Sequence, residues 1–198
     1  MSSARSSSAG APRKRADAER SIAAIIDAAV DTLASDHEAS MAEIARRAGV
    51  VRATIYVHFP TREALIEAVT EHAIDASSRA IAAADPQSGR ADEALRRVLG
   101  AAWQTLGRFH GLVTLNTRLP AEELHRRHAP VIALLAPLIE RGQRDGVFRA
   151  AVPVSWHLAT TMALIHAASA ELQAGRITPA EVESILIATV LAAVSSDT

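Results

Sequence analysis

The sequence predicts an all-α protein, and three observations carry that prediction. Apolar residues make up 49% of the 198 residues and aromatic residues only 3%; the apolar share is dominated by alanine, the strongest helix former. Apolar positions recur three and four residues apart, and no alternating strand pattern is found. Glycine and proline fall at the ends of these periodic runs, where helices stop and start. The length allows one or two domains and a real core.

The same composition narrows the function classes. No cysteine occurs, so there is no disulfide framework and no implied oxidising compartment. No apolar run approaches the roughly 18 residues of a membrane span, and the N-terminus lacks the apolar core of a secretion signal. A cytoplasmic protein is expected. The formal net charge of −1 does not by itself point to nucleic acid; the distribution of charge is more informative.

Residues 1–16 carry Arg5, Arg13, Lys14 and Arg15 without an acid, in a serine- and alanine-rich context. This segment reads as a disordered basic arm. Such an arm can follow phosphates or enter a minor groove, or simply solubilise the chain. A first helix follows from Asp17 to Ala34, with Ile22, Ile25, Ile26, Ala29, Val30 and Leu33 on one face. From Glu63 onward acids exceed bases, as expected where DNA is not touched.

The stretch SMAEIARRAGVVRATIYVHFPTREAL, residues 40–65, reads as helix, glycine turn, short helix, proline stop and helix start. That is the layout of a helix-turn-helix. Ser40 and Glu43 form a capping-box pattern, and Ile44, Ala45 and Ala48 give the apolar face. Gly49 suits the left-handed residue that ends a helix. Val50 is expected to plug the turn. The second helix runs from Arg52 to Phe59, with Ile55 and Phe59 inward and Arg52, Ala53, Thr54, Tyr56 and His58 on the remaining surface. Pro60 ends it, and Thr61 with Glu63 starts the next helix.

The A-G-V turn, the T-I-Y-x-H-F helix and the F-P-x-R-E-A-L exit resemble the DNA-binding domain of the TetR family of one-component regulators. The resemblance implies a three-helix DNA-binding domain over residues 17–62 and a helical effector-binding and dimerisation domain over 63–198. It also implies roles. Arg52 would read a base edge, for which its forked guanidinium suits guanine. Ala53 and Thr54 would let the helix approach closely or touch a thymine methyl. Tyr56 and His58 would hold phosphates, as would Arg62 at the next helix start and Ser40 through its hydroxyl. Simple packing of Tyr56 and a plain surface role for His58 are the competing readings, and Arg46 and Arg47 read as a solvated face. Val51 departs from the small polar cap usual in the family, at a cost of about 1 kcal/mol.

The remaining helices are expected at Arg62 to Ala84, Ala91 to Leu106, Phe109 to Asn116, Ala121 to His128, Pro130 to Arg144 with Pro137 inside, Val154 to Ala174, and from Thr178 to Ser195. Asp85 to Gly89 is a break. Thr178-Pro179-Ala180-Glu181 is a strong helix start. The last helix is apolar on most sides: Val182, Ile185, Leu186, Thr189, Val190 and Ala193 form one face, and Ile187, Ala188, Leu191 and Val194 widen it. Burying it is easiest against a second copy. Leu164, Ala167, Ala168 and Ala170 on the preceding helix permit close packing. The resemblance implies a two-fold four-helix interface from these two helices; the competing reading is that both complete the monomer core.

The resemblance further implies a small-molecule effector held among the middle helices. Trp103, Leu106, Phe109, His110, Leu115, Asn116, Trp156, His157, Thr160, Thr161, Leu164 and His166 are candidate lining groups. Apolar walls with a few polar groups suit a moderately apolar ligand. No cofactor is expected. His125 and His128 have a spacing that could share a metal but lack a third ligand, so no metal site is expected. There is no nucleophile–base arrangement, glycine-rich phosphate loop or carboxylate pair in an apolar setting, so an enzyme is not expected. The expected function is a ligand-responsive regulator, most simply a repressor, that binds a near-palindromic double-stranded operator as a homodimer. The rival is a helical adaptor whose helix-turn-helix does not read DNA.

Overall fold

The computed structural model describes residues 10–36, 38–107, 109 and 121–196. Among them the secondary structure is helical, apart from an isolated antiparallel bridge between Phe148 and Ser195. The chain divides into two compact units, one up to Val69 and one from Thr70.

The first unit holds α1 (Gly10–Ser35), α2 (Met41–Arg47), α3 (Arg52–His58) and the start of α4 (Arg62–Ala83). Helix α1 buries Ile25, Ala29, Val30 and Leu33, while Ile22 and Ile26 are half-buried. Helix α2 packs on α1 and on α3, burying Met41, Ile44 and Ala45. Two expectations need correction. Helix α1 begins at Gly10, so residues 10–16 of the expected arm are helical; Ala11, Ala16 and Ala18 favour this, and only one early proline, Pro12, sits where the first turn tolerates it. Residues 1–9 lie outside the described residues. The boundary also falls after Val69 instead of after Arg62, because the first two turns of α4 contribute the fully buried Leu65 and Val69.

The second unit continues α4 and adds α5 (Ala91–Leu106), α6 (Ala121–Arg127), α7 (Ala129–Arg144), α8 (Val154–Gln173) and α9 (Pro179–Val194). Helix α9 packs on α8 and α5, and α7 packs on α5 and α8. The starts and stops follow local chemistry. The Thr178–Glu181 capping box is closed in both directions, and Gly146 and Gly175 take positive φ of 72° and 67° after α7 and α8. The expected helix from Phe109 to Asn116 lies largely outside the described residues; Phe109 itself is in a turn, its N–H donating to Leu106 O at 2.7 Å.

Beyond α7 the chain forms a clasp onto the end of α9. Phe148 is fully buried directly over Gly142, where a Cβ would fall 2.0 Å from Phe148 Cδ2. Arg149 N–H donates to Val194 O at 2.9 Å, and its Nε donates to Ser195 O at 2.8 Å. The Arg149 carbonyl accepts in turn from Gln143 Nε2 at 2.9 Å and from His157 Nε2 at 3.1 Å.

Candidate functional site

The local geometry of the first unit comes from caps and a turn. Ser40 caps α2, its Oγ accepting from Glu43 N–H at 3.2 Å, and the Glu43 carboxylate lies 3.7 Å from Arg46. Gly49 takes φ +68°, which reverses the chain between α2 and α3. Helix α3 begins at Val51 without a side-chain cap, leaving amide donors at its N-terminus unsatisfied by that side chain. Thr61 Oγ1 caps α4 by accepting from Ala64 N–H at 3.1 Å.

Helix α3 is anchored by Ile55 and Phe59, both buried. Its opposite side is bare. Arg52, Ala53, Tyr56 and Val57 are exposed, and Thr54 and His58 are half-buried. The Arg52 guanidinium carbon sits 5.7 Å from the centre of the Tyr56 ring, a cation–π contact between residues one turn apart. The base-reading candidate is thus braced by the phosphate-holding candidate. Arg62 is half-buried and donates to the Ala39 carbonyl; this ties the start of α4 to the residue before the α2 cap, and Ser40 and Arg62 are thereby held at one corner of the unit. Sequence reasoning missed Val57 and the outward side of Val51, which are 76% and 71% exposed. Val57 is two residues from both anchors, about 200° round the helix, so the Ile55–Phe59 spacing already placed it outward. A bare valine on a reading helix is a group that can meet a thymine methyl.

The second unit contains an apolar cavity of about 70 Å³ and an open groove of about 720 Å³ between α6, α7 and α8. His128, Met162 and His166 line both. The cavity reaches from Thr70, Ile74 and Ser77 on α4 to Val98 and Ala102 on α5 and Ile165 on α8. His128 Nδ1–H donates to Leu124 O at 2.8 Å, and its ring meets that of His166 edge-on at 5.9 Å. Burial pushes the pKa of both imidazoles down; Arg127 and His125 add to the effect at His128, and His128 adds to it at His166.

Of the lining groups expected from sequence, Leu106, Phe109 and His166 reach the cavity. His110, Leu115 and Asn116 lie outside the described residues. The others line neither space. Trp103 is core. Trp156 is 65% exposed. His157 is committed to the clasp through Arg149 O. Thr161 is buried with its hydroxyl on His157 O at 2.8 Å, Thr160 is half-buried, and Leu164 packs against the core. Trp156, His157, Thr160 and Thr161 share a side of α8 that meets the clasp, the core and solvent, which periodicity could not reveal because α8 is apolar on nearly every side. Ser77, which does line the cavity, was missed because α4 reads as polar at that position.

Comparison with known proteins agrees with this geometry. The family model described as "Bacterial regulatory proteins, tetR family" matches residues 25–69, which span the second half of α1 through the start of α4. The chain is 46% identical over 81 residues to the HTH-type transcriptional repressor LfrR of Mycolicibacterium smegmatis. That match spans 41% of this chain and 43% of LfrR, less than half of the curated relative. Among solved structures, the TetR-like regulator LfrR from Mycobacterium smegmatis in complex with proflavine superposes with a TM-score of 0.70 at 28% identity, covering 87% of this chain and 94% of that one. The TetR transcription regulatory protein from Mycobacterium vanbaalenii gives a TM-score of 0.59 at 28% identity, with coverages of 92% and 99%. No helix of the described residues is long and apolar enough to cross a membrane. With the α2–turn–α3 geometry, residues 25–69 form a DNA-binding domain matched by the model of the tetR family of bacterial regulatory proteins, and most of the chain resembles TetR-like regulators in fold.

Proposed function

We propose that the protein is a transcriptional repressor that occupies a near-palindromic DNA operator as a homodimer and is released by a small-molecule effector. The observation that carries this reading is the bare face of α3. Arg52, Ala53, Tyr56 and Val57 contribute little to the core, yet they form a compact surface one helix wide, of a size that enters a major groove. Arg52 reads a guanine edge, Val57 and Ala53 meet thymine methyls, and Tyr56, His58 and Ser40 hold phosphates. Arg62 fixes the corner from which Ser40 reaches the backbone.

Dimerisation draws support from α8 and α9. Val182, Leu186, Val190 and Val194 enter the chain's own core, so part of the face expected at an interface is spent inside the monomer. What remains bare is Ile185, Ala188, Thr189 and Ala192 on α9 and Ala159, Ala163 and Ala167 on α8. The alanines let a second copy approach closely, and Ile185 offers it an exposed apolar side chain. Two copies would set the recognition helices about 34 Å apart, one turn of duplex. Effector release draws support from the cavity and from LfrR, a relative named as a repressor and solved with proflavine. A coupling of about 1–3 kcal/mol suffices for a useful response.

The test is selection from fragmented genomic DNA of the source organism, with recovered fragments measured by fluorescence anisotropy across a salt series. Enrichment of a near-palindrome whose affinity falls steeply with salt supports the reading. Absence of salt-dependent binding favours the adaptor.

A further inference from the structure

The cavity in the second unit contains a polar group with no partner among the described residues. Ser77 is 94% buried, as its 6% exposure shows, it lines the cavity, and its Oγ has no hydrogen-bond partner among the described residues. A buried hydroxyl left in this state costs about 1–3 kcal/mol, and a position on α4 among alanines and isoleucines has no packing need for it. His166, edge-on to His128, lines the same cavity. With Nδ1–H committed to Leu124 O, a neutral His128 ring keeps only an acceptor, Nε2.

Equally informative is what the walls lack. Among the described residues no Asp, Glu, Lys or Arg lines the cavity or the adjoining groove. Residues 110–120 contain no acid in their sequence. The acids nearest along α4, Glu71 and Asp75, are exposed, and Glu123 is engaged by Arg126 and Arg127. A cation entering this space would lose its hydration and gain no counter-charge, which is strongly unfavourable. We propose that the cavity takes an uncharged, largely apolar ligand bearing one hydrogen-bonding group, received by the Ser77 hydroxyl and the His166 imidazole, with the remainder of the ligand running past Met162 into the groove. Methionine suits that passage, because its flexible side chain repacks readily. This assignment rests on the reading of the second unit as effector-binding, and it sets this chain apart from a site built for a cationic dye.

The test uses the full chain and two fluorescent probes, neutral N-phenyl-1-naphthylamine and cationic proflavine. A Trp156→Phe background leaves Trp103, next to the lining residue Ala102, as the sole tryptophan. The naphthylamine should bind and quench Trp103 emission, and proflavine should bind at least tenfold more weakly. Ser77→Ala should weaken naphthylamine binding about three- to tenfold, the loss of one hydrogen bond, while the free protein melts no lower than wild type, because an orphaned hydroxyl has been removed. Ser77→Thr, which keeps the hydroxyl, should retain more of the affinity than Ser77→Ala. Equal or tighter proflavine binding, no naphthylamine binding, or an affinity unchanged in Ser77→Ala would overturn the assignment. Naphthylamine binding with this pattern but without DNA release would leave the assignment standing and count against effector release instead.

Discussion

The two units of this molecule are specified in different ways. In the first, nearly every structural decision is made within four or five residues: Ser40 caps α2, Gly49 turns the chain, Ile55 and Phe59 seat α3, and Thr61 starts α4. In the second, the decisive contacts join residues far apart in sequence: the Arg149 ties to Val194 and Ser195 close the clasp that Phe148 anchors over Gly142. Arg141 likewise holds the loop after α4 by donating to Gly89 O at 2.6 Å and Pro86 O at 3.0 Å. Local rules leave a surface free for recognition; distant contacts shape a cavity. A change in the first unit should therefore alter binding at little cost in stability, and a change in the second should do the reverse.

The largest expected effect breaks that division at its strongest point. Gly142→Ala drives a methyl into the Phe148 ring, and the clasp onto α9 must shift. Overpacking of this kind costs about 1–3 kcal/mol, and more where the neighbour is locked. Denaturant melts should show it as a lower midpoint. A loss below about 0.5 kcal/mol, the range of an ordinary surface change, would mean that the clasp is not a fixed feature.

Next, Tyr56→Phe removes the hydroxyl proposed to hold a phosphate but keeps the ring that braces Arg52. DNA affinity should drop about three- to tenfold on all sequences alike, with an unchanged melting temperature. A selective loss at one base pair would reassign Tyr56 to base reading. Val51→Ser sharpens the comparison from the other side. It supplies the cap that α3 lacks and should stabilise the helix by about 0.5–1 kcal/mol. Hydrogen exchange of the α3 amides would report it as slower exchange.

The smallest effect is on pH dependence. Burial holds the pKa of His128 and His166 below the ordinary value, so near neutrality and below, the unfolded chain takes up more protons than the folded one. Stability should then fall as pH drops from about 7.5 through the unfolded histidine value near 6.5. His128→Gln should flatten that slope. A slope of the opposite sign would show that the rings gain an acidic partner on folding.

How much of this was legible in the sequence follows the same line. The caps, the turn, α3 with its inward pair, and the starts and ends of α5, α8 and α9 could be read because each depends on neighbours in the chain. Helix α1 was read too short because Arg13, Lys14 and Arg15 look like an arm, although nothing in them prevents helix. The cavity was read poorly. On α8 every face is apolar enough to serve as a wall, so Trp156, His157, Thr160 and Thr161 could not be separated from His166 by periodicity. Ser77 left no signal, since a serine in a mixed helix looks like surface until its burial is known. Val57 was legible and overlooked, being opposite Ile55 and Phe59.

The central claim is that the exposed face of α3 reads DNA sequence without taking part in the fold. The most direct test compares wild type and Arg52→Ala by anisotropy on the selected operator and on a variant with the contacted guanine replaced. The account predicts that Arg52→Ala loses about 1–3 kcal/mol of discrimination at that one base pair per half-site and melts as wild type does. Discrimination that survives the substitution, or a loss explained by a lower melting temperature, would contradict it.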